Sequence, residues 1–379
     1  MKIALISPYD YATPGGVNAH IGNLAREFSN NGHSPTIIAP SSKAIDTETS
    51  TKFIAMGRPI PIPYGGSTAR LSISPWQIKR VRKLLMQEQF DILHLHEPLT
   101  PILPWLFLKT STTVNIGTFH AFHEKSKYYH ITKRPLKYWF NKLNGTIAVS
   151  QSAMSFVAKH FEANYELIPN GINIQKFSSN TAPIEELNDD RPTILFVGRI
   201  GEKRKGLKYL LKAYSNLKWN HPNLRLVVVG PGDLDKECHR LISEHNMNDI
   251  IFTGPVSESD LPKYYKSASI FCSPATGQES FGIVLLEAMA SGTPIVASAI
   301  QGYSAVVENG VQGLLFEPEN PVDLSEKIEV LLQNSTMRQN LGKAGPIRAS
   351  KFSWENIASQ ILSYYEETRS EWIRKYKVS

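Results

Sequence analysis

The chain has 379 residues, 41% of them hydrophobic, enough for two cores of ordinary domain size. Its net charge of +7 is uneven: residues 1–150 hold 17 Lys and Arg against 8 Asp and Glu, and the remainder holds 24 against 26, so the first part expects an acidic partner such as anionic lipid, nucleic acid or phosphate. Two distant cysteines, Cys238 and Cys272, exclude a disulfide framework and a cysteine metal cluster, and read as free thiols in a reducing cytoplasm.

No apolar run nears the roughly 20 residues that a spanning helix needs. The first six residues, stopped by Pro8, are too short for a signal segment. A soluble or peripheral protein is expected. Residues 3–7 read as a strand, followed by Gly15-Gly16, a pair suited to close backbone approach and to φ > 0. A helix follows near 18–31, with Ile21, Leu24, Ala25 and Phe28 on one face and Gly32 as its stop. Residues 36–39 form the next strand. Ser74-Pro75-Trp76-Gln77 reads as a capping box with Pro at the first helical position. The helix behind it places Ile78, Val81 and Leu85 on one face, and Lys79, Arg80, Arg82 and Lys83 largely on the other. Such a helix suits an anionic lipid surface, and equally a core-packed helix with a solvated cationic face.

Strands are expected at 91–96, 114–120, 146–150 and 166–168. His94 and His96 alternate on one of them, and with no further ligand nearby they argue against zinc. The polar stretch 173–191 is a linker. A second series then runs through strands at 193–197, 224–229, 250–253, 269–273, 295–298 and 314–316. Apolar strands alternating with amphipathic helices imply buried parallel sheets, one per domain. Asp233-Leu-Asp235 mimics a metal-binding pair but is expected to cap the helix that follows it. A last helix near 353–376 could pack back across both domains.

The densest signal is Glu279-Ser-Phe-Gly-Ile-Val-Leu-Leu-Glu287. It reads as a strand-end loop carrying one carboxylate, a helix start with open N–H groups near 280–283, and a second carboxylate about two turns in. Open helix-start amides seat an anion, and flanking carboxylates suit sugar hydroxyls.

Several motifs stand in order along the chain. They are Ser7-Pro8-Tyr9, Pro14-Gly15-Gly16-Val17, Leu93-His94-Leu95-His96-Glu97-Pro98, Gly117-Thr118-Phe119-His120, Ile168-Pro169-Asn170-Gly171, Gly198-Arg199 with Lys205-Gly206, and the Glu279–Glu287 segment. Together the set resembles the retaining glycosyltransferases of family 4. The resemblance implies an α/β protein of GT-B architecture, two Rossmann-like parallel-sheet domains facing a cleft. The N-terminal domain would span 1–172 with helix 353–379 packing back, and the nucleotide-sugar domain 173–352. Pro61-Ile-Pro63-Tyr64, Ser67 and Ala69-Arg70-Leu71 bring it nearest to the phosphatidylinositol mannosyltransferases.

The resemblance assigns His120, Glu279, Arg199 and Lys205 to catalysis. The donor would lie on Gly16, Arg199, Lys205, Gly230, Val256, Glu279, Phe281, Gly282, Ile283, Val284 and Glu287. Tyr9, Asn18, Arg70 and Lys125 would line a polyol-phosphate head-group site, and Lys79, Arg80, Arg82 and Lys83 would touch the membrane. Two cations can stabilise a departing diphosphate without metal, so no metal and no cofactor beyond the nucleotide-sugar co-substrate is expected. The implied partners are a nucleotide-sugar, GDP-mannose foremost, and an anionic phospholipid at the inner membrane face. Nucleic acid is not expected, because aromatic–basic interleaving on a small sheet is absent. The same machinery also fits a UDP-hexose donor. A sugar-nucleotide epimerase shares the architecture, but Ser7-Pro8-Tyr9-Asp10 stands where it would carry a charged loop. Gly65, Asn18 and the run 121–124 depart from the mannosyltransferase pattern on the acceptor side.

Overall fold

The computed structural model describes residues 1–45, 51–64, 67–121, 127–178 and 181–376. Lys125, Gly65 and residues 122–124 lie outside them. The chain divides into two compact units, Met1–Gly171 with Trp354–Ser379, and Ile172–Ser353.

The first unit runs β1 (Lys2–Ile6), α1 (Gly16–Asn30), β2 (Ser34–Ala39), β3 (Lys52–Ala55), β4 (Ile60–Tyr64), β5 (Ser67–Leu71), α2 (Ile78–Glu88), β6 (Ile92–His96), α3 (Leu103–Thr110), β7 (Val114–Phe119), α4 (Lys127–Phe140), β8 (Gly145–Ala148), α5 (Gln151–Ala158) and β9 (Tyr165–Leu167). Its parallel sheet has the order β3-β2-β1-β6-β7-β8-β9. The strands are apolar on both faces because both are covered. Ile3 and Leu5 pack toward α1, while Ala4 and Ile6 face α2 and α3, as the two-residue period of a strand requires.

The second unit runs β10 (Thr193–Val197), α6 (Leu207–Asn220), β11 (Arg225–Val229), α7 (Lys236–Glu244), β12 (Ile250–Gly254), α8 (Leu261–Ser267), β13 (Ile270–Ser273), α9 (Ile283–Ala290), β14 (Ile295–Ser298), α10 (Gln301–Ser304), β15 (Gly313–Phe316), α11 (Pro321–Gln333) and α12 (Ser335–Ser350). Its strands, also parallel, have the order β12-β11-β10-β13-β14-β15. Ile194 and Phe196 join the core under α6, α7 and α11, and Leu195 joins that under α8 and α9. The last helix, α13 (Trp354–Tyr376), belongs to the first unit, where Trp354, Ile357, Ile361 and Tyr365 complete the core beside α1.

The strands expected from the apolar runs are all present. Three others were not anticipated. β3 is a half-buried edge strand pairing only β2. β4 and β5 pair with each other as an antiparallel hairpin; Pro61 and Pro63 disguise it, yet a hairpin edge needs no amide donors at those positions. The capping box at Ser74 does not form. Ser74 instead opens a 3-10 turn, Pro75–Gln77, without a side-chain cap bond, and α2 starts at Ile78. Asp235 does cap α7, accepting from the Cys238 N–H at 2.8 Å. Glu287 is the fifth residue of α9, little more than one turn in rather than two. Among the described residues no helix is long and apolar enough to cross a membrane.

Candidate active site

In a parallel sheet every strand ends at the same edge, and ligands favour the point where strand order reverses. In the first sheet that point lies between β1 and β6, and in the second between β10 and β13. The expected residues cluster at both.

In the second unit three strand-end loops are laced together. Gly198 N–H donates to Val229 O and Ile200 N–H to Pro231 O, each at 2.9 Å, and Thr276 N–H donates to Arg204 O at 2.8 Å. Two glycines allow this contact. Gly206 has φ +76°, and a Cβ there would sit 1.8 Å from Pro274 O; Gly230 has φ +142°, and its Cβ would meet Gly198 O at 1.9 Å. Onto this frame the sequence places an ionic cluster. Lys205 Nζ donates to Glu279 Oε1 at 2.6 Å, and Arg204 Nη1 donates to the same oxygen. Glu202 bridges Arg204 and Arg199, the latter at 3.0 Å. Burial alone would raise the Glu202 carboxyl, but the Arg199 hydrogen bond and the charges of Arg204, Arg199 and Lys205 outweigh it and hold the group below its ordinary value. Lys205 and Glu279 are 18% and 14% exposed, whereas Arg199 is 60% exposed. Both bonds to Glu279 end on Oε1, leaving Oε2 unbonded among the described residues.

Arg204 and Glu202 were not singled out in the sequence. The signal was there in the spacing, since Arg199 and Glu202 lie at i,i+3 and Arg204 precedes the invoked Lys205.

Past Glu279, Phe281 is buried against Phe352, their rings 5.8 Å apart. Gly282, at φ +85°, forms the N-cap of α9, where a Cβ would strike the Tyr303 ring at 2.7 Å. Ile283 and Val284 open the helix, so their N–H groups are unpaired within it. Glu287 accepts from the Tyr265 hydroxyl at 2.7 Å; burial raises its carboxyl, and the Tyr265 bond and the Lys176 charge act against that. Val256 lies half-buried in the loop after β12.

In the first unit Gly15 is extended at φ −172° and caps α1, and Gly16 is its first residue. Neither takes the positive φ expected of the pair. A Cβ at either would meet no atom within 4 Å, so their smallness keeps the helix start open instead of relieving a clash. Asn18 is turned inward. Its Oδ1 accepts from Ser7 Oγ at 2.9 Å, and its Nδ2 donates to Asp10 O and Thr13 O; it fastens the β1–α1 loop rather than presenting its amide outward. Asp10 does the same from within, accepting from the Ala12 and Ser42 N–H groups and the Thr13 hydroxyl. Arg70 remains half-exposed, 4.0 Å from the Asp10 carboxylate.

His120 directly follows β7 and is built into a histidine cluster. Its Nε2 lies 2.9 Å from His96 Nδ1; His20 Nδ1 lies 3.0 Å from Asn170 Oδ1; His94 lies between Thr118 and Tyr365. Burial lowers all four imidazoles, His20 to about 4 against the opposing Asn170 hydrogen bond, His94 to about 3, and His96 and His120 well below the ordinary value, with neighbouring histidines adding to the shift of the last three. The rings are therefore neutral at pH 7. His20, His96 and His120 offer nitrogens within 4.8 Å of one another, and the Nε2 atoms of His20 and His96 are buried without a partner among the described residues. The expectation that no further ligand lies near His94 and His96 is thus corrected: α1 and the end of β7, remote in sequence, bring two more imidazoles, a set that could geometrically hold a metal ion.

Glu97, buried with φ +50°, accepts from both the His120 and Ala121 N–H groups at 2.7 Å. Burial raises its carboxyl while these two bonds work against that. Beside it lies an apolar cavity of about 220 Å³, walled by Tyr9, Ile62, Leu71, Leu99, Tyr129 and Phe156. A roomier recess of about 800 Å³, lined by Arg82, Asp91, Arg369 and Trp372, sits at the opposite sheet edge and carries none of the expected catalytic residues.

The sequence matches known families over both units. Residues 14–176 match Glycosyltransferase Family 4 and residues 178–348 match Glycosyl transferases group 1. The phosphatidyl-myo-inositol mannosyltransferase of Mycobacterium leprae is 36% identical over 97% of this chain and 96% of its own. Among solved structures, sucrose-phosphate synthase from Thermosynechococcus elongatus superposes with a TM-score of 0.77 at 23% identity, covering 98% and 99% of the two chains. Anabaena Alr3699/HepE in complex with UDP gives 0.79 at 18% identity, over 97% and 100%. The chain belongs to glycosyltransferase family 4 and is a hexosyltransferase with the GT-B fold.

Proposed function

We propose that the protein transfers mannose, with retention, from GDP-mannose to the inositol head group of an anionic phospholipid at the inner face of the membrane. The observation that carries this reading is the likeness to phosphatidyl-myo-inositol mannosyltransferases over nearly the whole chain. The exposed cations Lys79, Arg80, Arg82 and Lys83 on α2, beside Met86 at 65% and Trp76 at 84% exposure, support a membrane-bound acceptor.

In the reaction the bond from the sugar C1 to the diphosphate oxygen breaks with its electron pair, and an acceptor hydroxyl oxygen bonds C1 from the same face as its proton passes to that departing oxygen. Lys205, Arg204 and Arg199 offset the negative charge growing on the leaving group, and the α9 amides at Ile283 and Val284 add fixed dipoles. Glu279 orients the two cations through Oε1 and offers Oε2 to a sugar hydroxyl. Glu287 serves the ribose and Gly16 the diphosphate, while Phe281, Gly282, Gly230 and Val256 shape the donor seat. Neutral His120 serves as a hydrogen-bonding partner beside the transferring sugar. Tyr9 and Arg70 serve the head group, and Asn18 shapes their loop. This scheme needs no metal: EDTA is expected to leave the rate unchanged, whereas loss of activity restored by zinc would assign the histidine cluster a metal role.

The test is mass analysis of lipids after incubation with phosphatidylinositol vesicles and GDP-mannose in competition with UDP-glucose. A mannosylated phosphatidylinositol is expected. The UDP complex of the Anabaena structure supports a second reading, a UDP-hexose donor, which a glucosylated lipid would reveal. Transfer only to a water-soluble acceptor, unaffected by vesicles, would reject the lipid assignment.

A further inference from the structure

We infer that α4 is a second membrane-contact helix, seating this unit on an anionic bilayer together with α2. Its inner side is occupied: Tyr129, Leu136 and Phe140 are buried in a core with Phe119, Phe156 and Phe161. At 100° per residue the opposite side carries Ile131, Arg134 and Tyr138, spaced i, i+3 and i+7. Ile131 is 77% exposed and Tyr138 58% exposed, an outward apolar pair that water disfavours. Exposed Arg134 and Lys137 lie along one flank of this pair, with exposed Lys133 further round toward the buried side, and Lys142 Nζ is 5.2 Å from the Tyr138 ring centre. The helix contains no Asp or Glu.

The placement joins this face to α2. α3 packs against both helices, with Trp105 of α3 stacked on Trp139 of α4 at 5.6 Å and Phe107 sharing a core with Val81 and Leu84 of α2. Lys109 in the last turn of α3 is exposed as well. All three cover the sheet face opposite α1 and α13. Cations alone would suit any polyanion. An exposed Ile flanked by a cationic stripe, with an amphipathic Tyr one heptad on, favours a surface that offers phosphate and hydrocarbon at adjacent depths. The choice of an anionic bilayer rests on the proposed lipid acceptor; the helix face itself does not.

The native thiols are buried, so a cysteine placed at Ile131 or Tyr138 can be labelled selectively with an environment-sensitive fluorophore. The full-length protein is mixed with phosphatidylcholine vesicles with and without phosphatidylglycerol. Both labels are expected to shift to the blue and brighten only with phosphatidylglycerol, and a label on exposed Glu367 of α13 to stay unchanged. The triple variant Lys133→Glu, Arg134→Glu, Lys137→Glu, with its melting temperature retained, is expected to bind these vesicles about a hundredfold more weakly at low salt, since each cation contributes roughly 1 kcal/mol at such a surface. Silent labels on α4 beside a responsive label at Met86→Cys overturn the inference and leave the lipid-acceptor reading standing. Silence at Met86 as well, together with absent lipid glycosylation, rejects both. A single-stranded RNA that shifts the α4 labels and displaces the vesicles also overturns it.

Discussion

Glu279 is the residue on which the ionic cluster converges: it holds Lys205 and Arg204 through one oxygen. Glu279→Ala therefore frees two cations as well as removing the proposed sugar contact, and Lys205→Ala removes a positive charge proposed to face the leaving group. Each is expected to lower turnover by about 10²- to 10³-fold, the usual effect of deleting a group aimed at developing charge, with circular dichroism unchanged. Arg204→Ala, at a position the sequence did not single out, should cost about tenfold or more on the same grounds. The histidines make a separate, pH-dependent prediction. Folded, they are neutral, whereas unfolded they protonate near 6.5. Below that pH the unfolded chain binds protons that the folded chain refuses, so stability falls with pH, down to about 4 for His20 and about 3 for His94. Urea midpoints followed from about pH 7.5 to about pH 5 should drop steadily; a flat profile would contradict neutral burial.

At the scale of elements, the site depends on how strand-end loops are tied. Gly206→Ala forces a Cβ into Pro274 O at a positive φ and is expected to destabilise the second unit by about 1–3 kcal/mol, read as a lower melting temperature. The tie was foreshadowed by the Lys205-Gly206 motif, although its partner, Pro274, is 68 residues away in the chain and invisible to local pattern. The buried strands and several helices, α1, α2 and α13 among them, were legible because buried parallel strands are continuously apolar and helices keep a 3.6-residue period. The β4–β5 hairpin escaped because Pro61 and Pro63 read as breakers. His20 escaped, and His96 was set aside as a metal ligand, for another reason: each alone looks like a core histidine, and only the sheet order brings α1, β6 and β7 together. Glu97 sat inside a recognised motif, but its role as acceptor for the His120 and Ala121 amides required the geometry.

For the whole molecule, donor chemistry is proposed for the second unit and membrane contact for the first, in line with the excess of basic residues in residues 1–150. Reversing Lys79, Arg80, Arg82 and Lys83 to Glu should abolish transfer to vesicle-borne acceptor while leaving slow donor hydrolysis intact, because electrostatic attraction of about 1 kcal/mol per cation is lost at the surface. Equal loss of both activities would place α2 in the fold rather than at the membrane. The central claim, that the cationic cluster after β10 holds the donor diphosphate, is met most directly by calorimetric titration of GDP and UDP in EDTA into the wild-type protein and Lys205→Ala. The account predicts binding of at least one nucleotide without metal, weakened about tenfold or more in the variant. Equal affinity in both proteins would contradict it.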